Sequence, residues 1–342
     1  MRKTFIDILN GFSFLQNNTK TQTSIIIRCY NEEAHIGRLL SGVMQQATDN
    51  LEIIVVDSGS TDATLSIASQ YPVKILKIKK EEFSFGSALN IGCAAARGEF
   101  LIFVSAHVYP LYNDWVTQLL QPFEDERVAC VYGKQRGNNC TKFSEHQVFA
   151  RWFPDKSDLN QTHPFCNNAN AAVRRSVWER NRYDETITGL EDLAWAKQVT
   201  STGFRISYKA EAETVHVHEE TPKQILNRYR REAIAMKAIF PHEKFSFLNF
   251  LHMCTKNIFS DARLALAQRV FWKSISSILS FRFMQFWGTY RGYAQVGVIS
   301  NSLRQKFYYP SDSTVPENQK KQLEPDRLEI DYSSHNRETD HE

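Results

Sequence analysis

Four short apolar runs, rich in Ile and Val, follow one another in the first third of the chain. Each has the length of a strand and leads into a polar segment. Continuous apolar runs bounded by turn residues are typical of strands that are buried on both faces. The predicted strands cover residues 24–27, 51–56, 73–78 and 99–104.

Amphipathic stretches separate these runs. Residues 34–46 place apolar side chains at every third or fourth position, which is the spacing of a helix that lies on a sheet. Further helices are predicted from Ala63 onward and over residues 86–97. Strands that alternate with helices in this way predict an α/β fold with a parallel sheet and right-handed crossovers.

The length of 342 residues exceeds what one hydrophobic core usually holds, so a main domain with an appended subdomain is expected. After Thr221 the pattern is helical and rich in aromatic and basic residues, and beyond Tyr309 it is polar and acidic. The expected organisation is an N-terminal extension 1–22, a catalytic α/β domain 23–220, a helical subdomain 221–309 and a disordered acidic tail 310–342.

The composition is that of a soluble globular protein, with 42% hydrophobic and 23% charged residues. The net charge is +3, but residues 310–342 carry nine Asp and Glu against four Lys and Arg, which leaves about +8 on the rest of the chain. A basic body suits anionic partners such as phosphate-bearing donors or acidic lipids, and it equally suits a solvated surface. We expect no nucleic-acid partner.

The six cysteines are scattered and none forms a Cys-x-x-Cys pair, which favours a reducing compartment. The first twenty residues lack the apolar core of a signal peptide, and no run reaches the roughly 18 apolar residues of a transmembrane helix. These features predict a cytoplasmic protein. The aromatic and basic helices after Thr221 can lie in a membrane interface, at its inner face, or pack against the catalytic domain or a second subunit.

Chemically active residues follow three of the predicted strands. Ligands of open parallel sheets bind beyond the carboxyl ends of the strands, so residues 28–33, 57–62 and 105–107 are the first candidates for a site. Asp57 can accept hydrogen bonds from a base or a ribose, or it can be a turn carboxylate that caps the next helix. Both roles suit a carboxylate at this position.

Four segments, taken in order, resemble the family 2 glycosyltransferases, which have the GT-A fold with a Rossmann-like, mostly parallel sheet. They are SIIIRCYNEE, EIIVVDSGSTDAT, FGSALNIGCAAARGEFLIFVSAH and GLEDLAWAKQV. The resemblance covers residues 23–218. It implies transfer of a sugar from a nucleotide-sugar donor, of uridine or cytidine type, to a glycan or lipid-linked acceptor, in the synthesis of surface polysaccharide or lipopolysaccharide.

The resemblance also implies a set of donor-binding residues. One group is the first loop, and another is the carboxylate that recognises the base, together with the residue that follows it. The others are polar positions on the helix that lies over the diphosphate, and the segment after the fourth strand. These residues are Cys29, Tyr30, Asn31, Glu32, Asp57, Ser58, Ser87, Asn90, Ser105, Ala106 and His107.

Ser105-Ala106-His107 occupies the place where the family usually has an Asp-x-Asp motif that holds a divalent cation. Mg²⁺ and Mn²⁺ prefer carboxylate oxygen, so this site is poor in suitable ligands. His107 can join His216 or His218 in holding such an ion, the enzyme can work without metal, or His107 can be structural. The metal requirement stays open at this point.

The pair Glu191 and Asp192 opens a predicted amphipathic helix. In the family the Asp of this pair is the catalytic base of an inverting transfer, although a carboxylate at a helix start is also an ordinary cap. Asn168, Asn170 and Trp152 resemble the acceptor and sugar pocket, with an Asn-rich turn as the alternative. Two other functions remain open: a nucleotidyltransferase, and a catalytically silent glycan-binding relative.

Overall fold

The computed structural model describes residues 23–48, 50–297, 299–308 and 330–332. The predicted extension 1–22 lies outside the described residues, as does most of the predicted tail 310–342. Eight strands in the described part form one sheet. Strands β1 to β8 are Thr23–Cys29, Leu51–Asp57, Lys74–Lys77, Phe100–Ser105, Val108–Pro110, Val128–Arg136, Asn170–Arg174 and Arg205–His216.

Eleven α-helices accompany the sheet in the described ranges. Helices α1 to α11 are Ile36–Met44, Thr64–Ala68, Phe85–Ala95, Trp115–Leu120, Phe143–Trp152, Arg175–Arg180, Glu191–Ser201, Pro222–Ile239, Phe247–Ala267, Phe271–Tyr293 and Asn301–Tyr308. Two 3₁₀ turns, Lys80–Glu82 and Gln121–Glu124, complete them. The α/β class and the helical C-terminal region expected from the sequence are confirmed.

The strand order is β3-β2-β1-β4-β7-β6-β8-β5. The pairs β1–β2, β1–β4, β2–β3 and β6–β8 are parallel, whereas β7 is antiparallel to both β4 and β6, and β5 to β8. Because β7 is antiparallel to both β4 and β6, these two strands run in the same direction, and β8, which is parallel to β6, runs with them. The carboxyl ends of β1, β2, β4, β6 and β8 therefore lie at the same edge of the sheet.

Alternate residues of each central strand pack on opposite faces of the sheet. In β1, Ile26 packs in one core cluster with Leu89 of α3 and Trp195 of α7. Ile25 and Ile27 pack in the other cluster, with residues of α1 and α4. Because both faces are covered, the strands consist of continuous apolar runs, which explains why their pattern in the sequence does not alternate.

The C-terminal helices join the α/β domain through a buried ion pair. Arg282 of α10 donates to both carboxylate oxygens of Asp261 on α9, at 2.7 and 3.0 Å, and to the carbonyl oxygen of Ser144 on α5 at 3.2 Å. The Ser144 hydroxyl donates to Asp261 at 2.6 Å. All three residues are buried, so the network fixes two C-terminal helices against a helix of the catalytic domain.

We expect Arg282→Ala to lower the free energy of unfolding by about 3–5 kcal/mol, because it leaves the Asp261 carboxylate buried without its partner. Denaturant unfolding of the full chain measures the change. Arg263→Ala, an exposed position on α9, is the matched control and should stay within about 0.5 kcal/mol of the unmodified chain. Equal effects of the two substitutions would contradict a role of the buried pair.

Candidate active site

A cavity of about 540 Å³ lies at the edge of the sheet where β1, β4 and β8 end. Most of the residues proposed from the sequence line it: three loops after strands, the segment before β7 and the start of α7 meet there. The lining includes Cys29, Tyr30, Asn31, Glu32, Ser58, Ser105, His107, Asn168, Glu191, Asp192, His216 and His218.

The acidic pair lies at the first turn of α7. Leu190, just before the helix, has a φ of 56°, a left-handed conformation that is uncommon for a non-glycine residue and turns the chain sharply into the cavity wall. Glu191 forms an ion pair with Arg28 at 3.0 Å. Asp192 accepts hydrogen bonds from the backbone N–H of Asn168 at 3.0 Å and of Leu193 at 2.8 Å. The Asp192 carboxylate is thereby held at a fixed position.

The surroundings of Asp192 raise the pKa of its carboxyl to about 7. Burial contributes most, and the neighbouring Glu191 charge adds to it, while the two backbone hydrogen bonds and Arg28 act in the opposite direction. A carboxylate with a pKa near the working pH is suited to accept a proton and to release it again.

The first two loops are joined by polar contacts. Asn31 has a φ of 51°, and its side chain accepts from the backbone N–H of Thr61 at 2.8 Å, while the Ser60 hydroxyl accepts from the Asn31 N–H at 2.9 Å. A Glu32 carboxylate oxygen lies 2.7 Å from His107 Nδ1 and accepts a hydrogen bond from it, which is also an ion pair when the imidazole is protonated. These contacts fix the loop after β1 against those after β2 and β4.

Three histidine rings form a cluster at one end of the cavity. The ring centroids of His107 and His216 lie 5.1 Å apart and those of His216 and His218 lie 4.0 Å apart. The pairing of β5 with β8 brings Val108 opposite His216, which explains why His107 meets it. Burial, then the neighbouring histidines, lowers the pKa of His216 well below its usual value. Burial also opposes protonation of His107, but Glu32 outweighs it and the pKa of His107 is raised.

Asp57 is buried and lies outside the residues that line the cavity. Its carboxylate accepts from the backbone N–H of Gly59 at 3.0 Å and of Ser60 at 3.1 and 3.2 Å. These bonds shape the turn that presents Ser58 to the cavity. Asp57 does not cap α2, because the Thr64 N–H donates to Asp62 at 3.0 Å. Contact of Asp57 with a base stays a prediction.

Ser87 and Asn90 of α3 also lie outside the lining. Ser87 completes a capping box with Ser84, and Asn90 donates to the Tyr183 carbonyl at 2.9 Å and accepts from Trp178 Nε1 at 3.1 Å. Their side chains are thus used to anchor the helix.

Only one of the three candidate acceptor residues lines the cavity. Asn168 lines the cavity, whereas Asn170 is fully buried, accepting from Trp115 Nε1 at 2.8 Å and donating to two backbone carbonyls. Trp152 is half-exposed and stacks on Phe165 at 4.6 Å between centroids, away from the lining. Ala106 is buried and likewise does not line the cavity.

The helical C-terminal region adds residues that the sequence interpretation does not assign to the site. Arg228 and Arg231 of α8 and Tyr308 of α11 line the cavity. Arg228 forms ion pairs with Glu145 and Glu220, each at 2.6 Å. The Arg231 guanidinium lies 4.8 Å from the Phe85 ring centroid, and its buried Nε has no hydrogen-bond partner among the described residues. In the sequence the two arginines are three positions apart, which puts them on the same face of a helix, and this spacing is the signal that could have identified them.

Known proteins resemble this chain in sequence. The family model for Glycosyl transferase family 2 matches residues 24–181. The O-antigen chain rhamnosyltransferase WbaN of Salmonella anatum is 30% identical over 220 residues, which are 60% of this chain and 69% of the relative. The chain belongs to glycosyltransferase family 2. It is therefore a sugar-transferring enzyme, as the four sequence segments predict.

A second relative agrees with this membership, and a solved structure agrees with the fold. The O-antigen chain rhamnosyltransferase RfbN of Salmonella typhimurium is 29% identical to the transferase over 220 residues, with the same coverage of 60% and 69%. The mannosyltransferase PcManGT from Pyrobaculum calidifontis, solved with GDP-Man and Mn²⁺, has a TM-score of 0.53 at 19% identity, covering 85% of this chain and 88% of that one. The expected GT-A fold is confirmed.

Proposed function

We propose that the transferase moves a sugar, with inversion, from a nucleotide-sugar donor of uridine or cytidine type to a hydroxyl of a glycan or lipid-linked acceptor in surface polysaccharide synthesis. The names of the O-antigen relatives support the acceptor class, and make rhamnose the first sugar to test. The main support is that Asp192 is buried in the wall of a cavity that cationic and imidazole side chains also line.

Asp192 is the base in this proposal. The acceptor oxygen attacks the anomeric carbon, the bond from that carbon to the donor phosphate oxygen breaks, and the hydroxyl proton moves to the Asp192 carboxylate. A direct displacement with a single base inverts the anomeric configuration. Glu191 is held by Arg28 and acts on Asp192 through its charge, so it is a positioning residue.

Positive charge near the leaving phosphate comes from the chain itself. Arg28, Arg228 and Arg231 line the same cavity as Asp192. Guanidinium groups match phosphate oxygens in geometry and stay charged when they are buried. Arg228 forms close ion pairs with Glu145 and Glu220, each at 2.6 Å, whereas the ion pair of Arg231 with Glu232 is long, at 3.9 Å. Arg231 is therefore the stronger candidate for a donor contact. A divalent ion, when held by the histidine cluster, supplies further positive charge there.

A thermal-shift panel of nucleotides and nucleotide sugars tests the donor proposal, because a ligand that binds only the folded chain raises its Tm. Pyrimidine nucleotide sugars should raise Tm more than adenosine or guanosine forms. Arg231→Met should weaken binding roughly tenfold or more through loss of a charged hydrogen bond. Arg230→Met is the matched control, because Arg230 donates to Gln295 and does not line the cavity. Absence of a shift with every nucleotide sugar would refute the proposal.

We also propose that α9 and α10 contact an anionic membrane, where a lipid-linked acceptor resides. Trp272, Phe259 and Leu248 are 87%, 76% and 74% exposed. On α9, Leu248, Phe259 and Leu266 share one face at helical spacing, beside Lys256 and Arg263. None of the described helices is both long enough and apolar enough to cross a membrane.

The charge of this region favours acidic lipids. Between residues 244 and 291 the chain has seven basic residues, and its one acidic residue, Asp261, is buried with Arg282. Basic residues near an anionic surface contribute about 1 kcal/mol each. The other six basic residues remain available for this interaction.

Charge reversal tests this contact. Lys256→Glu with Arg263→Glu should lower partitioning onto vesicles that contain anionic phosphatidylglycerol at least about thirtyfold. The pair Lys77→Glu and Arg180→Glu, exposed on the α/β domain, is the matched control and should bind nearly as well as the unmodified chain. If the unmodified chain stays entirely in the soluble fraction during flotation, the membrane proposal fails.

A further inference from the structure

We propose that His107, His216 and His218 form a three-imidazole site for a borderline divalent ion of the Co²⁺ and Zn²⁺ class, in place of a carboxylate site for Mg²⁺. The role of this ion at the donor phosphates rests on the proposed function. The binding of the ion does not, because it follows from the geometry and chemistry of the cluster alone.

The three side chains already converge. One ligand nitrogen from each of the three rings lies within 4.8 Å of those of the other two. Three nitrogens bound to one tetrahedral ion at about 2.0–2.1 Å lie about 3.4 Å apart. The ring nitrogens must therefore approach one another by at most about 1.4 Å, from 4.8 Å to about 3.4 Å, to bind a single ion.

Each ring is oriented by a polar partner at Nδ1. His107 Nδ1 lies 2.7 Å from a Glu32 oxygen, His216 Nδ1 lies 2.6 Å from the Gln135 side-chain oxygen, and His218 Nδ1 lies 2.7 Å from a Glu145 oxygen. Histidine ligands of metal ions characteristically donate their second N–H to such a carboxylate or carbonyl. This arrangement leaves Nε2 of all three rings available as the ligand atom.

His216 provides an independent indication of a ligand. The residue is 7% exposed, and its Nε2 is buried without a hydrogen-bond partner among the described residues. A buried polar atom left unpaired is costly and is rare in folded proteins. Because the Gln135 side-chain oxygen accepts a hydrogen bond from Nδ1–H, Nε2 of His216 carries a lone pair, and the rings of His107 and His218 lie next to it, at 5.1 and 4.0 Å between centroids.

The donor set determines the class of ion. Imidazole nitrogen suits Zn²⁺, Co²⁺ and Ni²⁺, whereas Mg²⁺ and Mn²⁺ prefer carboxylate and other oxygen ligands. A neighbouring group that contains carboxylates, Glu145, His218 and Glu220, is also close enough to hold a cation. Both of its carboxylates are ion-paired with Arg228, which competes with a cation for their oxygens.

Titration of the chelator-treated full chain with Co²⁺ alone tests the site by its visible absorption, without an activity assay. We expect saturation at about one ion per chain, displacement by Zn²⁺ and no displacement by excess Mg²⁺. His107→Ala and His216→Ala should abolish saturable binding. Gln135→Ala should weaken it about 10–100-fold, because Gln135 orients His216.

His252→Ala, an exposed histidine on α9, is the matched control and should bind Co²⁺ normally. Circular-dichroism melting confirms that each variant is folded, and the partly exposed His107 keeps the test decisive if the His216 variant does not fold. Unchanged Co²⁺ binding in folded His107→Ala, or displacement by Mg²⁺, would overturn the inference. Donor-induced Tm shifts without any Co²⁺ binding would overturn it and leave the proposed transfer function standing.

Discussion

Asp192→Asn is expected to lower turnover at least about a thousandfold while donor affinity stays within about threefold. The amide keeps the size of the side chain, and its one carbonyl oxygen can still accept one of the two backbone hydrogen bonds, from Asn168 or from Leu193, so the change in the cavity is small. It cannot take the acceptor proton at neutral pH, and loss of a positioned base typically costs two to four orders of magnitude. Steady-state kinetics and calorimetric titration of the donor measure the two quantities.

The control for this substitution is Asp184→Asn. Asp184 is exposed, lies outside the cavity lining, and accepts hydrogen bonds from Thr186 in its own turn. Its variant should have nearly normal turnover. If Asp192→Asn also retained turnover within about tenfold, Asp192 would not be the base.

A second large effect is expected from pH. Because the pKa of Asp192 is raised to about 7, the carboxylate form that accepts a proton is lost as the pH falls through 7. The value of kcat/KM should therefore decrease about tenfold per pH unit below the pKa, and at pH 5 it should be about a hundredfold below its alkaline plateau. Initial rates between pH 5 and 9 measure this limb.

Glu191→Gln identifies the group that titrates. The negative charge of Glu191 raises the pKa of Asp192, and removing it also frees the Arg28 guanidinium to stabilise the Asp192 carboxylate. Both changes move the acidic limb to lower pH. A limb that does not move, or a rate independent of pH between 5 and 8, would contradict the assignment.

Three of the strands that carry the site, β1, β2 and β4, are predicted from sequence to within two residues. Buried parallel strands need continuous apolar runs, and this need leaves a strong local signal. Because these strands are parallel, the residues that follow them, Glu32, Ser58 and His107, are also predicted to lie at one edge of the sheet. The direction of β7 has no such signal, because strand pairing between distant segments depends on the whole sheet.

The remaining parts of the site depend on long-range packing. The sequence identifies α8 as basic, but only its packing against α10 and the α/β domain turns Arg231 toward the cavity. Asn170 and Asn90 are similar: an Asn can contact a sugar or satisfy buried groups, and its neighbours in space decide which. Asp192 differs, because its place at the start of a helix already limits where its carboxylate can be.

The anomeric configuration of the first product is the sharpest test of Asp192 as the base of an inverting transfer. Many transferases hydrolyse their donor slowly with water as acceptor, so proton NMR of freshly released sugar requires no knowledge of the natural acceptor. The unmodified chain should release sugar of inverted configuration, and Asp192→Asn should release almost none. Sugar released with retained configuration would contradict a single-displacement reaction in which Asp192 is the base.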